Sequence, residues 1–309
     1  MALELELPFE LVWSAAGPVV TMVRVPTRRM TWGPFWQQAL AETPRTRLVA
    51  LDACDASADP GWLVGAVHHM TRCGSTLLMR QLGAIEGIVP IVEPHAVAQL
   101  LDHPDNDRDR VVRRLRALIG LMREGLAPIG ERAVIKWVTG LCRHAALLEA
   151  ALPGVPAIFL HRDPLEVLAS IEREPHVDFA TVTPHQLQGP GEPAPQSLPA
   201  SALETYARII AANCRWIARA PAVRRVDFAQ LPAAAATIAD YFGLTLTDAD
   251  ATRMAEAAAN DVKRDRPYVP DGDAKRAGAS PEARRLADAV LAPALGEAIE
   301  QLSPLPGTR

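Results

Sequence analysis

The chain carries two rhythms of apolar and polar positions, and one gives way to the other near residue 60. Residues 3–13, LELELPFELVW, place an apolar residue at nearly every second position with glutamates between them. A period of two puts alternate side chains on opposite faces, so this segment predicts a half-buried strand. PVVTMVRV (18–25) predicts a second strand and RLVALDA (47–53) a third. Trp32 and Trp36 flank a predicted short helical turn. Residues 1–60 therefore read as a small β-rich extension, and they contain no chemical motif.

From residue 61 short apolar runs alternate with longer segments of helical spacing. GWLVGAVHHM (61–70), IVPIVEP (88–94), RAVIKWV (132–138), VPAIFLHRD (155–163) and AVRRVDF (222–228) are predicted strands. Between them, 71–85 predicts a turn and a helix. Residues 107–125 predict a helix with arginines on its solvent face, and LCRHAALLEAALPG (141–154) a helix stopped at Pro153-Gly154. PLEVLASIERE (164–174) opens as a helix with Pro164 in its first turn. Further helices are predicted over 202–220, 231–244 (ending at Gly243) and 280–302. Residues 184–200 are rich in Pro, Gly and Gln and predict an irregular loop, and 261–279 a charged, turn-rich one. Strands alternating with helices specify a parallel sheet covered on both faces. The expectation is an α/β fold of three layers, of P-loop type, over residues 61–309, with the β-rich extension appended.

Composition narrows the class. A chain of 309 residues, 49% of them hydrophobic, can bury a large core. A net charge of -4 gives no reason to expect a nucleic-acid partner. Cys54, Cys73, Cys142 and Cys214 are widely spaced, which fits neither a metal knuckle nor a disulfide framework and suits a reducing, cytoplasmic setting. No apolar run reaches the roughly 18 residues of a membrane span.

The chemistry concentrates at HHMTRCGSTLLMRQL. A buried strand runs into a turn containing Gly74, and the turn opens a helix. Backbone N–H groups converge at such a helix start, which suits an anion. Gly74 permits close approach, Ser75 and Thr76 add hydroxyls, and Arg72 adds a forked cation. The ATP- and GTP-binding pattern GxxxxGK[ST] is absent, since no lysine precedes Ser75. On these residues alone, a strand-to-helix turn capped by Ser75 or Thr76 is an equal reading.

TRCGSTLL resembles the 5′-phosphosulfate loop of sulfotransferases that use PAPS (3′-phosphoadenosine 5′-phosphosulfate). IFLHRDPLEVLAS resembles that family's 3′-phosphate segment, with Arg162 at a strand end and Ser170 eight residues on. VDFAQLPAAAATIADYFGL resembles its later strand and helix. The three segments stand in the family's order across residues 61–250. Cys73 departs from the family's usual Ser, Phe228 stands where a Tyr is usual, and Ala229 and Gln230 replace an acidic core. The glycine-rich clasp is not evident, and Lys275 and Arg276 are candidates to replace it.

The resemblance implies Arg72, Cys73, Gly74, Ser75, Thr76, Arg162 and Ser170 as the donor-binding set. It implies PAPS as donor with PAP as product, no required metal, and transfer to a hydroxyl or amine of a small-molecule or peptide acceptor. Glu93 is the candidate base, with a pKa tuned upward by burial, or else a structural partner for Arg72 or Arg162; His95 is the alternative base. Lys136 is expected either on the leaving phosphate or in a salt bridge to a nearby carboxylate. Of the adjacent pair His68 and His69, one must enter the sheet's flank. Rival readings are a small-molecule kinase using ATP-Mg and a non-catalytic nucleotide-binding module. The loops bordering the acceptor are expected at 95–110 and 176–200.

Overall fold

The computed structural model describes residues 4–26, 43–56, 60–104, 107–175, 182–261, 266–267 and 269–307. The turn expected around Trp32 and Trp36 lies outside them. Three antiparallel strands, β1 (Glu4–Ser14), β2 (Gly17–Pro26) and β3 (Arg45–Ala50), form the N-terminal sheet, in the order β1-β2-β3. The sequence alternation is honoured: Leu5, Leu7 and Leu11 are buried, while Glu4 is exposed.

The main sheet has five parallel strands: β4 (Leu63–His69), β5 (Ile88–Val92), β6 (Arg132–Lys136), β7 (Ala157–His161) and β8 (Arg224–Asp227). Their order is β5-β6-β4-β7-β8. Helices cover both faces, which gives a three-layer α/β fold. In chain order they are α1 (Ser75–Gly83), α2 (His95–Leu101), α3 (Arg108–Leu126), α4 (Ala145–Ala151), α5 (Pro164–Arg173), α6 (Ala202–Ile217), α7 (Ala234–Tyr241), α8 (Asp248–Ala258), α9 (Gly272–Gly278), α10 (Pro281–Leu286) and α11 (Ala292–Gln301). A π-bulge at Ala287–Leu291 joins α10 to α11. A two-residue antiparallel pair, β9 (Asn260–Asp261) and β10 (Arg266–Pro267), follows α8.

The strand sequences suit these places. β4 lies at the centre, paired with β6 and β7, and Ala66, Val67, His68 and His69 are all buried. β5 is an edge strand, where Pro90 and its missing N–H are tolerated. Apolar side chains of β1 and β2 share a core with those of α3 and with Ala133, Ile135 and Ile91 of the main sheet.

Four segments differ from the sequence expectation. α8 was not anticipated, although Thr247 and Asp250 form a reciprocal capping box at its start. Part of the charged 261–279 segment is helical, because Gly272–Gly278 packs on α5. Residues 95–101, expected in a loop, form α2. Arg114, expected on the solvent face of α3, is buried; it makes two 2.6 Å bonds to Asp52 and lies over the Trp13 ring. The N-terminal sheet packs on that side of the helix and turns it inward. No helix among the described residues is long and apolar enough to cross a membrane.

Candidate active site

Ligands of open parallel sheets gather at the carboxyl ends of the strands. Here that edge brings together the ends of β4, β5, β6 and β7, and with them most of the residues singled out above. Two of these residues share a backbone signature. Arg72 (φ 59) and Glu93 (φ 51) are the only non-glycine residues with positive φ among those described. The left-handed region costs such residues roughly 1–2 kcal/mol each, and strain of this kind clusters at functional sites.

The loop after β4 leaves a run of backbone N–H groups open at the sheet edge. Gly74 sits just before α1 at φ 83, and its carbonyl receives the N–H groups of Leu77 and Leu78. The N–H groups of Cys73, Gly74, Ser75 and Thr76 find no acceptor among the described residues. A plain capped turn would satisfy at least one of them; no side chain caps this helix. Cys73 is fully buried beneath the loop.

A Cβ on Gly74 would stand 2.3 Å from the Phe228 ring. Gly74→Ala therefore meets both a left-handed φ and a ring that must move. The expected loss of stability in urea unfolding is about 1–3 kcal/mol. Adding Phe228→Ala should relieve the steric share and leave the backbone share.

A cluster of cationic side chains lies at the end of β7. Arg162 is buried and its guanidinium rests 4.1 Å over the Phe228 ring. Its Nε donates to Glu166 at 2.7 Å, one turn along α5, and its Nη2 reaches Asp271 at 3.4 Å. Asp163 caps α5 through the Glu166 N–H. The helix-start and salt-bridge roles thus coexist with any binding role for Arg162. Ser170 is buried, and its Oγ accepts from Arg72 Nε at 2.9 Å, while Arg72 Nη2 pairs with Glu174 at 2.5 Å. The loop after β4 and α5 are therefore joined through Arg72 and Ser170.

Helix α9 completes this cluster. Lys275 is buried and pairs with Asp271 at 2.8 Å. Burial holds its pKa below the ordinary lysine value, and repulsion from Arg162 and Arg72 adds to the lowering. Arg276 pairs with Glu166. Four cations from three elements thus converge, held by Glu166, Glu174 and Asp271. Sequence reasoning missed these acids, although Glu166 lies i,i+4 from Arg162 and was legible.

At the ends of β5 and β6, Glu93 meets Lys136 at 2.8 Å and His69 Nε2 at 3.4 Å. Its own N–H donates to the Lys136 carbonyl at 2.8 Å, which fixes the kinked backbone. Burial alone would raise the Glu93 pKa, but Lys136 and His69 outweigh it and hold the group below its ordinary value. This reverses the upward tuning expected from sequence. Its stability contribution is accordingly full above pH 4.5 and lost as pH falls through the depressed value. Lys136 takes the carboxylate-paired option, with the carboxylate being Glu93. His95 opens α2 with an exposed ring, and its pKa is lowered, chiefly by desolvation.

Successive residues of β4 point to opposite faces, so His68 and His69 part company. His68 is buried with Nδ1 unpartnered, and burial with the neighbouring His69 charge pushes its pKa down to about 3. His69 turns to the site. A cleft of about 800 Å³, lined by Leu187, Pro193, Arg208 and Val290 among others, shares no residue with this site. Among the described residues no group of three or more His, Cys, Asp or Glu could hold a metal ion.

No family model matches the chain, and no curated protein matches it. Solved structures do. A sulfotransferase from Alicyclobacillus acidocaldarius is 18% identical, covering 76% of this chain and 93% of its own, with a TM-score of 0.44. The sulfotransferase domain of the Synechococcus PCC 7002 olefin synthase is 15% identical, covering 73% and 93%, with a TM-score of 0.44. The sulfotransferase domain of the curacin biosynthetic pathway is 15% identical, covering 75% and 98%, with a TM-score of 0.43. At these values the likeness assigns neither an activity nor a residue role to this chain.

Proposed function

We propose that the chain is a sulfotransferase that moves a sulfuryl group from PAPS to a hydroxyl or amine of a small-molecule or peptide acceptor. One observation carries the reading. An open N–H cradle lies beside a second cluster of cations, and Arg72 and Ser170 join the two. A single phosphate site would suit many nucleotides. Two anion positions side by side suit a nucleotide carrying phosphate at both the 5′ and 3′ positions.

PAPS would supply the activated sulfuryl group. The N–H groups of Cys73 to Thr76, with the hydroxyls of Ser75 and Thr76, would hold its 5′ end. Arg162, Ser170 and Lys275 would hold the 3′-phosphate, with Asp271 giving up its place between the two cations. The Asp271 side chain is 29% exposed and can turn to water. Little covalent work falls on the protein in such a transfer; alignment and charge neutralisation dominate. Glu93 would take the acceptor proton. Lys136, now on Glu93, would shift to the leaving oxygen. That shift would leave Glu93 with His69 alone and make it more basic at the moment a base is needed.

Thermal-shift measurement tests the donor. PAP should raise the melting temperature, whereas ADP and ATP-Mg should not. A shift with ATP-Mg alone would instead mark a kinase. PAP stabilisation without PAP release from PAPS on any acceptor would mark a non-catalytic binding module.

A further inference from the structure

His69 has a role that strand packing does not explain. Its ring is 3% exposed, yet both nitrogens face oxygen acceptors. Nε2 lies 3.1 Å from the Trp137 carbonyl and 3.4 Å from Glu93 Oε1. Nδ1 lies 3.4 Å from the Met70 carbonyl and 3.4 Å from Ser75 Oγ. The Trp137 carbonyl and the Glu93 carboxylate can only accept, so Nε2 carries a hydrogen; at Nδ1 the Met70 carbonyl can only accept while the Ser75 hydroxyl can do either, and a hydrogen on Nδ1 satisfies both. The ring is then an imidazolium, buried directly beneath the phosphate loop.

Two consequences follow from that charge state. Ser75 Oγ receives the Nδ1 hydrogen, which leaves the Ser75 hydroxyl hydrogen free to point into the cradle as a donor. Nε2 meanwhile restrains the Glu93 carboxylate. We propose that His69 is a positioning residue, a buried imidazolium that aims the Ser75 hydroxyl at the bound anion and holds Glu93 at the acceptor side. This deepens the sulfotransferase reading and rests on it for the identity of the anion.

The groups facing His69 are consistent with this state. Burial opposes the charge, and the Cys73 sulfur and Glu93 overcome it, with Lys136 opposing; the balance places the pKa at about 9. Two further titratable neighbours are neutral: His68, whose pKa burial pushes down to about 3, and Cys142, whose thiol burial pushes up to about 12. Because the folded value lies above the ordinary 6.5, the stabilisation is full below that pH and is lost as pH rises through about 9.

The amide nitrogen of Asn overlays Nδ1 and that of Gln overlays Nε2. His69→Asn therefore keeps the bond to Ser75 and loses Glu93, whereas His69→Gln does the reverse. Both variants lose the charge, so the informative quantity is the difference between them. By calorimetry, PAP should bind His69→Asn about tenfold more tightly than His69→Gln, the worth of one bond to a charged ligand. PAP release from PAPS should fall further in His69→Asn relative to its binding. Equal PAP affinities in the two variants would overturn the inference.

Nitrogen NMR of the wild-type imidazoles needs no variant. One ring should remain doubly protonated at pH 8, with N–H groups protected from solvent; if none does, the inference fails. Binding of inorganic pyrophosphate but not PAP by the wild type would refute PAPS as donor, and equal pyrophosphate affinities in His69→Asn and His69→Gln would then overturn the role of His69. Binding of neither would overturn both.

Discussion

Arg162→Ala reduces PAP affinity at least about 100-fold, the scale of roughly 3 kcal/mol that a forked, charge-assisted contact to a phosphate can supply. The geometry explains why so much rests on one side chain. Arg162 is buried at the strand end, stacked on Phe228, and aligned by Glu166 from one side and Asp271 from the other. Its orientation is already fixed, so little ordering opposes binding. The substitution also leaves Glu166, with 8% of its side chain exposed, dependent on Arg276 alone. Some loss of fold stability is therefore expected alongside the loss of binding. Arg162→Lys separates the two effects: it restores a positive charge to Glu166 without the fork, so stability should recover more than PAP affinity does. Calorimetry of PAP with both variants, beside urea melts, measures each part. Unchanged PAP affinity in Arg162→Ala would remove the 3′-phosphate position from this edge of the sheet.

Glu93→Gln leaves PAP binding within about threefold, or tightens it by removing a negative charge near an anion, while lowering PAP release from PAPS by a factor on the order of 10²–10⁴. Gln retains an oxygen that can accept from Lys136, so the pair's geometry should survive. What is lost is the capacity to take a proton. Because Lys136 and His69 hold the Glu93 pKa below its ordinary value, the carboxylate is ionised throughout the neutral range. The wild-type rate should therefore show no acid limb between about pH 6 and 7 that belongs to this group. Near-normal turnover in Glu93→Gln would place the base elsewhere, with His95 the next residue to change.

Much of the fold could be read along the chain, because it rests on local pattern. Alternating Leu and Glu residues specify β1, and the apolar runs around Val67, Ile135 and Phe159 specify buried parallel strands. α8 and α9 were harder. The first is rich in alanine and the second lies in a run of charges, so neither shows a strong apolar stripe. Arg114 was misplaced because a helix's pattern cannot reveal what packs against its polar side.

The same division holds at the site. Sequence by itself determined which residues reach the ligand edge of the sheet, since strand ends and turns are set by near neighbours: Arg72 to Thr76 after β4, Glu93 after β5, Lys136 at the end of β6, Arg162 after β7. The spacing of Arg162 and Ser170 likewise puts one at a strand end and the other two turns into the helix that follows.

Only the tertiary structure decided how these groups are charged and to whom they are bound. Lys136 and Glu93 are 43 positions apart in sequence, Arg72 and Ser170 are separated by 98 and Arg162 and Asp271 by 109. Contacts across such separations depend on strand order and helix packing, and no local pattern encodes them. Proton affinity depends in turn on those contacts. Burial alone would have raised the Glu93 pKa, and the two cations brought beside it by folding reversed the sign.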